Sequence, residues 1–531
     1  MNPESISLRV LRTAGTEHSG GDTNQRGMTD SQGALMDNDR AIGDCVLRAA
    51  SLRRYSEQVE NEEFPCDEPT LLAKALANTA QALVEYLIAA RNLPSYNVKQ
   101  ATLEIRAIDG IVKWLFEPLR YVEGAVTSKV PWSLVGPLQS ISTRLLPGTA
   151  LILRPKWRYN YAVLMSDIIG TIRDAAKNAL PPERLNECFG KLKPPLHIIS
   201  FPYIERRSVF LHAALGHEIG HLIAEQFIRD EKISMSADLA QEIIKKVQED
   251  QAIAPLFKSK EIIRQIRECA EYRKRAMQEL GSDLVAVNIM GFAALFALDG
   301  IIGMRNLDDV PSAQNQRYPP RRRRIRLMLN EIEEHLNGLV DWDQLGGLVS
   351  SASEGRAVLG AYKERIKELQ AVAASTDDAK ALAADKTVEI AYRWVDQSLN
   401  ALRSFVRSRC EATSEVRLKA EPDEDGNEFA SGSGFWLKAC ELATSRLGRG
   451  LPPNINDDTV AHSCPASFEA IMNAGWLHLL SSVPPRPESV AAVDEFLKGH
   501  QRAERLTLRA LELSDVQVTY NRWREQHEHL G

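Results

Sequence analysis

The chain has 531 residues, of which 44% are hydrophobic and 26% charged, and its formal net charge is −6. This length allows about two to four domains with buried cores, and the composition is ordinary for a globular protein. The acidic balance argues against general nucleic-acid binding, so no nucleic-acid partner is expected. The seven cysteines are scattered without a CxxC pair, which indicates reduced thiols in a cytoplasmic protein and disfavours cysteine as a metal ligand.

The N-terminal third predicts a tail followed by helices. Residues 1–40 are rich in Gly, Ser, Thr, Asn and Asp, which predicts disorder, and they contain no apolar stretch typical of a signal peptide. In residues 41–145, apolar side chains recur at three- and four-residue spacings, so a helical N-terminal region is predicted. The first helical run ends at Asn92-Leu93-Pro94, since proline cannot continue a helix.

Strand signals are scarce. Residues 149–163 can hold one or two strands, and residues 195–202 can hold another. A free strand edge can bind an extended peptide by main-chain hydrogen bonds. Residues 197–201 are the candidate for such an edge, and the alternative is a buried connecting strand.

The most informative stretch is residues 211–227, which read LHAALGHEIGHLIAEQF. They contain His217, Glu218 and His221 in an HExxH pattern. Residues four apart share one face of a helix, so the two histidines can direct a ring nitrogen to one point. Glu218, beside the first histidine, can act on a metal-bound water. The apolar flanks predict a buried helix, and the alternative is a chance match to the pattern.

A catalytic zinc usually takes three protein ligands, and the third must come from outside this helix. The metzincin extension is absent, because Ala224 and Phe227 occupy its glycine and third-histidine positions. The best candidate is an ExxxD pair, in which Glu279 can bind the metal and Asp283 can accept the ring N–H of a ligand histidine. The alternative is a solvated helix face with Glu279 paired to Arg275. The apolar helix that follows favours burial, and buried carboxylates need a cation or donors.

Two further stretches have competing interpretations. Residues 284–304 are apolar but interrupted by Asn288 and Asp299, which predicts a buried core helix and no membrane partner. The basic run RRRR at 321–324, with Arg326, resembles a nucleic-acid patch or a targeting signal. It lacks interleaved aromatics and leads into an amphipathic helix, so a solvated helix start with one or two functional arginines is favoured.

The composition also suggests domain boundaries. The expected order is a tail (1–40), a helical N-terminal region (41–145), a core around the HExxH helix (146–345) and a further helical region (346–420). A linker follows at 421–434, where the chain reads EPDEDGNEFASGSG, acidic and then Gly/Ser-rich. Residues 435–531 form a helical C-terminal region.

HExxH followed by ExxxD resembles the gluzincin metallopeptidases, the thermolysin-like branch of the zincins. The resemblance implies a mainly α fold, with a zincin-like metallopeptidase core that contains a small β-sheet and is flanked by helical regions. It implies a zinc ion on His217, His221 and Glu279. Glu218 would be the general base, and Asp283 would support a ligand histidine from behind.

A finer similarity, within about residues 195–340, is to the CAAX-prenyl-protease and HtpX group. That group has a His-Pro-Pro segment followed by Arg-Ile, and here Tyr318-Pro319-Pro320 is followed by Arg324-Ile325 at the same spacing. Tyr318 replaces the histidine, but a phenol can also donate to a developing oxyanion. Tyr318 and Arg324 are therefore candidate catalytic residues. The group is embedded in membranes, and no such span is expected here.

The leading expectation is a zinc-dependent metallopeptidase that hydrolyses peptide bonds with a zinc-activated water and Glu218 as general base. Its partner would be a peptide or protein substrate. The alternative is a non-enzymatic, zincin-like sensor or scaffold that binds a protein partner through its helical flanks. A third interpretation is hydrolysis of a non-peptide amide or ester at the same zinc.

Overall fold

A computed structural model describes residues 27–91, 98–192, 195–249, 259–303, 307–312, 317–334, 353–411, 438–455 and 465–527. The described residues are mainly helical and include a three-stranded sheet, as the sequence predicts. The principal helices are α1 (Gly27–Glu60), α2 (Glu68–Arg91), α3 (Val98–Gly124), α4 (Trp132–Leu145), α5 (Ile168–Ala176), α6 (Pro182–Phe189), α7 (Leu215–Glu249), α8 (Ser259–Met290), α9 (Phe292–Ile302), α10 (Arg321–Ile332), α11 (Ser353–Ala374), α12 (Asp377–Ala383), α13 (Lys386–Glu411), α14 (Phe468–Ser482) and α15 (Val493–His527). The strands are β1 (Ala150–Lys156), β2 (Ala162–Leu164) and β3 (Leu196–Pro202).

The chain forms two compact units that interleave along the sequence. The first comprises Met1–Val135, Pro147–Asn160 and Leu164–Tyr203, and the second comprises Gly136–Leu146, Tyr161–Val163 and Ile204–Gly531. These units do not follow the boundaries expected at 146 and 345. Most of residues 147–203 belong with the N-terminal helices, and the C-terminal helices belong with the HExxH helix. The expected linker at 421–434 lies outside the described residues.

The first unit has a core built by α1, α2 and α3, which pack against one another. The apolar positions of α2 face inward at helical spacing, and Leu72, Leu76, Leu83 and Leu87 are fully buried, because three- and four-residue steps place them on one face. Helix α1 begins at Gly27, so the expectation of disorder is wrong for residues 27–40. That segment contains no proline and includes strong helix formers, which the averaged composition conceals. Residues 1–26 lie outside the described part.

The sheet has the strand order β1-β3-β2, so β3 is its middle strand. Strands β1 and β3 are parallel, with Ala150 opposite Leu196 and Lys156 opposite Pro202, and every residue of β3 is buried. The prediction that residues 197–201 form a substrate-binding edge is wrong, and the buried connecting strand is confirmed. A continuous apolar run, as in this strand, is typical of a strand covered on both faces.

The second unit contains the HExxH helix. Helix α7 packs along α8, and α8 also packs against α10 and α13. The apolar segment 284–302 forms the end of α8 and then α9, with a break at Gly291, whose φ is 59°. Nearly all of its side chains are buried, so the prediction of a buried core segment is confirmed. Among the described residues, no helix has the length and apolar character needed to cross a membrane.

Candidate metal centre

The centre forms where α7 crosses α8, and glycine makes that crossing possible. A Cβ atom on Gly220 would lie 2.7 Å from Ser282 Cα and 2.8 Å from its carbonyl oxygen. A Cβ on Gly281 would lie 2.8 Å from Ala224 Cβ. Any side chain at these positions would push the helices apart. The sequence carries a signal for this contact that the HExxH and ExxxD motifs do not include, namely small residues at four-residue spacing from Gly216 through Gly220 to Ala224.

Close packing brings the three predicted metal ligands together. Nε2 of His217 lies 3.4 Å from one carboxylate oxygen of Glu279, and Nε2 of His221 lies 3.7 Å from the other. The two imidazole rings are 4.7 Å apart at 79° to each other. Two zinc ligands with bonds of about 2.0–2.1 Å in a tetrahedral arrangement lie about 3.3 Å apart. Glu279 is thus near both histidines, although the three side chains whose ligand atoms all lie within 4.8 Å of one another are His217, Glu218 and His221.

Glu218 belongs to the same cluster. His217, Glu218 and His221 are buried, and each offers one atom such that the three atoms lie within 4.8 Å of one another. This spacing allows the three side chains to hold a metal ion. Its composition alone does not identify the metal. Glu218 is therefore close enough to act on a molecule held by the histidines.

Asp283 lies behind the first histidine. Its Oδ1 atom is 2.9 Å from Nδ1 of His217, so the ring can donate its Nδ1–H to Asp283 and keep the Nε2 lone pair for a metal. Arg324 donates to both oxygens of Asp283, from Nε at 2.8 Å and from Nη2 at 2.7 Å. Nη1 of Arg324 also lies 3.3 Å from Glu279. Arg324 thus holds both carboxylates of the ExxxD pair.

A second arginine reaches Glu279 from its own helix. Nη2 of Arg275 lies 2.9 Å from Glu279 Oε1, so the pairing considered in the sequence alternative does form. That alternative also placed Glu279 on a solvated helix face, and this part is wrong, because Glu279 is only 1% exposed. Tyr318 contacts the other side of Arg275, with the guanidinium 4.4 Å from the ring centroid and a side-chain hydrogen bond between the two residues. Tyr318 therefore joins the cluster through Arg275.

The backbone before Tyr318 is unusual. Arg317 has a φ of 60°, in a region that non-glycine residues rarely adopt. Its N–H donates to the carbonyl of Ser312, and its side chain lies near Glu271 and Tyr272. These contacts hold the turn that leads into Tyr318-Pro319-Pro320.

The surroundings shift the pKa values of the two histidines in opposite directions. Burial lowers the pKa of His217, but Asp283 and Glu279 outweigh burial and raise that pKa to about 9. Burial lowers the pKa of His221 to about 3, despite the opposing charge of Glu279. Burial would raise the pKa of Glu279, yet Arg275, His217 and Arg324 hold it well below its usual range. Without a metal, Glu279 is therefore anionic, His221 is neutral and His217 is protonated, so a metal ion that binds here displaces a proton from His217.

The basic run at the start of α10 forms ion pairs instead of a solvated surface. Arg322 and Arg324 have side chains only 9% and 4% exposed, so the predicted solvated helix start is wrong. Buried arginines need paired carboxylates, and each of the five has one. The pairs are Arg321 with Asp299, Arg322 with Asp308, Arg323 with Asp396, Arg324 with Asp283 and Arg326 with Asp378.

The remaining histidines lie apart from the centre or outside the described residues. His212 is fully buried beside the ring of Tyr161, at 6.2 Å in an edge-on arrangement, and bonds the backbone of Arg206. Burial lowers the pKa of His212 to about 4. This environment indicates a structural role for His212. His462 lies outside the described part of the chain.

No family model matches this chain, no curated protein is significantly similar to it in sequence, and no solved structure significantly matches its fold. The gluzincin resemblance therefore depends on the motif residues and their geometry, and the zincin-like fold stays a prediction.

Proposed function

We propose that this protein is a zinc-dependent metallopeptidase, with His217, His221 and Glu279 as the metal ligands. The observation that supports the proposal best is the convergence of both Nε2 atoms on the Glu279 carboxylate, at 3.4 and 3.7 Å. Asp283 strengthens the proposal, because its Oδ1 atom lies 2.9 Å from Nδ1 of His217 and leaves Nε2 as the nitrogen for a metal. A chance HExxH helix would have no reason to meet a buried carboxylate at ligand spacing.

The donor set suits zinc. Two imidazoles and one carboxylate, from two helices, make up a set of protein ligands used by catalytic zinc sites, which keep a fourth position open. When bound, zinc supplies a Lewis acid that polarises a carbonyl and makes water more acidic. Arg275 and Arg324 keep Glu279 ionised, as a ligand must be.

The remaining chemistry belongs to side chains of the cluster. Glu218 takes a proton from the attacking water and passes it to the leaving amine, which is general base and then general acid catalysis. Asp283, held by Arg324, fixes the orientation of His217. The substrate is a peptide or protein.

A second candidate is a non-enzymatic sensor or scaffold of the same fold that acts through its helical flanks. The observation that favours it is the double pairing of Glu279 with Arg275 and Arg324, because a carboxylate with two cations nearby is stable without a metal. Glu218 favours the enzyme, since a structural metal site needs no base beside its first ligand.

The proposal is tested by zinc content and by cleavage of a denatured protein mixture, for the wild type and for Glu218→Gln. We expect the wild type to hold about one zinc per chain, and the variant to keep that zinc while cleavage falls by roughly 10²–10⁴-fold. Glu225→Gln is the matched control, because Glu225 lies on the same helix and pairs with Gln278 and Lys274. A wild type without zinc, or a Glu218→Gln variant that cleaves like the control, contradicts the proposal.

A further inference from the structure

Each oxygen of the Glu279 carboxylate faces one histidine and one arginine. Oε2 lies 3.4 Å from Nε2 of His217 and 3.3 Å from Nη1 of Arg324. Oε1 lies 3.7 Å from Nε2 of His221 and 2.9 Å from Nη2 of Arg275. A metal ion held by the histidines and the two guanidinium groups would therefore act on the same carboxylate.

The two arginines differ in how firmly they are held. Arg324 is buried and donates to both oxygens of Asp283, at 2.8 and 2.7 Å, so this carboxylate fixes its position. The side chain of Arg275 is 28% exposed, and its ion pair is with Glu279. Its guanidinium also packs on the ring of Tyr318, at 4.4 Å. Of the two cations beside Glu279, Arg275 is thus the one that has access to solvent.

The contact between Arg275 and Glu279 is an ion pair and not an aligned hydrogen bond. Oε1 of Glu279 is buried and accepts no hydrogen bond from the described residues, although Nη2 of Arg275 is 2.9 Å away. A buried carboxylate is stable beside a cation, so Arg275 offsets the charge of Glu279. The lone pairs of Oε1, the oxygen that faces His221, are not used by the protein and can serve a metal ion.

A metal ion and Arg275 would compete for the same charge. Both are positive, and both would lie close to Oε1 of Glu279. Cations a few ångströms apart repel each other, and the repulsion is stronger in buried surroundings than in water. His217, His221 and Glu279 are all buried. Arg275 therefore stabilises the metal-free centre and opposes its loading.

We propose that Arg275 is the counter-cation of the metal-free centre and lowers the affinity of that centre for zinc. The inference rests on the metal ligands of the proposed function. The metal-free protein stays folded because Glu279 keeps a charge partner, and zinc binds once its concentration outweighs the repulsion from Arg275. The supply of free zinc then sets the fraction of the protein that is loaded and active.

The first test is the zinc affinity of full-length wild type and Arg275→Gln, measured at one pH by competition with a chelator. Glutamine removes the positive charge, so we expect Arg275→Gln to bind zinc at least about tenfold more tightly. A role limited to orienting Glu279 predicts the opposite sign, because a less ordered ligand binds more weakly.

Arg365→Gln is the matched control. Like Arg275, Arg365 is partly exposed and pairs with a buried carboxylate, that of Asp299, which a second arginine, Arg321, also holds. Asp299 is not a member of the metal centre, so the loss of the Arg365 charge should leave zinc affinity within about twofold of the wild type.

The thermal midpoint is a second readout that does not depend on turnover. In chelator, Arg275→Gln should unfold at a lower temperature than the wild type, because Glu279 loses a charge partner. Zinc should raise the midpoint of Arg275→Gln by more than it raises that of the wild type, since tighter binding gives greater stabilisation. Arg365→Gln should show the same zinc response as the wild type.

Arg275→Lys separates the charge from the shape of the side chain. Lysine keeps a positive charge one helical turn before Glu279, so its zinc affinity should stay within about threefold of the wild type. A gain in affinity as large as that of Arg275→Gln would show that charge is not the cause and would overturn the proposal.

The outcomes distinguish this inference from the function on which it rests. A wild type that holds no zinc overturns both. A zinc-loaded wild type without Glu218-dependent cleavage overturns the peptidase, while tighter zinc binding by Arg275→Gln still supports the role of Arg275. Equal or weaker zinc binding by Arg275→Gln overturns only that role. An Arg275→Gln variant that does not fold even with zinc also overturns it, since the ion pair would then be structural.

Discussion

Asp283 is the most enclosed carboxylate of the centre, with no exposed surface. An ionised carboxylate is costly to bury unless donors and cations surround it. Arg324 satisfies both oxygens and His217 lies against one of them, so the carboxylate is stable where it is. Burial would raise its pKa, but Arg324 and His217 lower it below its usual value. Asp283 therefore positions His217 and is not itself available to a metal.

Asp283→Asn should weaken zinc binding by roughly 10–100-fold, the usual cost of losing the carboxylate behind a ligand histidine. The asparagine leaves Arg324 without its charge partner and offers His217 a weaker acceptor. The measurement is zinc affinity by competition with a chelator.

Asp299→Asn is the control for this change, because Asp299 is a buried carboxylate between Arg321 and Arg365, at 2.6 Å from each. It should reduce stability but leave the zinc affinity of the folded protein unchanged. Equal zinc affinities for Asp283→Asn and wild type would show that Asp283 does not position the ligand.

His212 should make the protein less stable in acid. Burial lowers its pKa in the folded state to about 4, whereas the ordinary value, which applies to the unfolded chain, is 6.5. Between these pH values the unfolded chain binds a proton that the folded chain does not, so the free energy of unfolding falls as pH drops from 6.5 toward 4. The loss approaches about 3 kcal/mol, at 1.36 kcal/mol per pKa unit.

The measurement is urea unfolding of wild type and His212→Gln between pH 7 and pH 4. The variant cannot titrate at this position, so its stability should fall less than that of the wild type over this range. Parallel curves for the two proteins would show that His212 is not neutral and buried.

At the scale of elements, the contact between α7 and α8 decides whether the proposed ligands meet. Gly220 allows the HExxH helix to touch the backbone of Ser282, and Gly281 allows α8 to touch Ala224. Ser282 lies between Glu279 and Asp283 in the chain, next to Asp283. The close approach therefore occurs at the same turns that carry the proposed ligands.

Gly220→Ala should separate these helices. Its Cβ would lie 2.7 Å from Ser282 Cα, a backbone atom that cannot rotate away, so we expect a loss of about 1–3 kcal/mol of stability. Glu279 would also move away from the histidines, and zinc affinity should fall by at least about tenfold. Urea unfolding measures the loss of stability, and chelator competition measures the loss of zinc affinity.

Gly360→Ala provides the comparison, because nothing lies within 4 Å of a Cβ built on this glycine of α11. That change should be neutral or stabilise by up to about 1 kcal/mol. If Gly220→Ala binds zinc as tightly as Gly360→Ala does, the glycine contact does not place Glu279.

Helix α10 links several elements of the second unit through its arginines. The partners of this one basic run lie on α8, α9, α12, α13 and the segment before α10. Arg324 is the member of this set that reaches the centre. The arrangement connects the geometry of Asp283 and Glu279 to the packing of the whole unit.

At the scale of the whole molecule, every described residue of the centre belongs to the second unit. Helices α7, α8 and α10 supply the histidines, the carboxylates and Arg324. A ligand that binds only the folded form of this unit must stabilise it.

Zinc should therefore raise the thermal midpoint of unfolding. At a free zinc concentration about a thousand times the dissociation constant, the added stability is about 4 kcal/mol. Differential scanning calorimetry of zinc-loaded and chelator-treated protein measures the effect. His217→Ala should show almost no response to zinc, and a zinc response equal to that of the wild type would contradict the assigned ligands.

The sequence by itself determined the helical character of most described elements and the candidate donors. His217 and His221, like Glu279 and Asp283, share a helix face because their spacing of four matches the helical repeat, which is a local property. The same local patterns were insufficient for β3, which proved to be the middle strand, and for the arginines, whose charges are paired inside the unit.

Only the tertiary structure decided which helix faces meet. Arg324 reaches Asp283 across 41 positions in the chain. Such contacts depend on how closely α7, α8, α10 and α13 pack, which spacing within a single helix does not encode. Because Gly220 and Gly281 let α7 and α8 touch, two local motifs become one candidate metal centre.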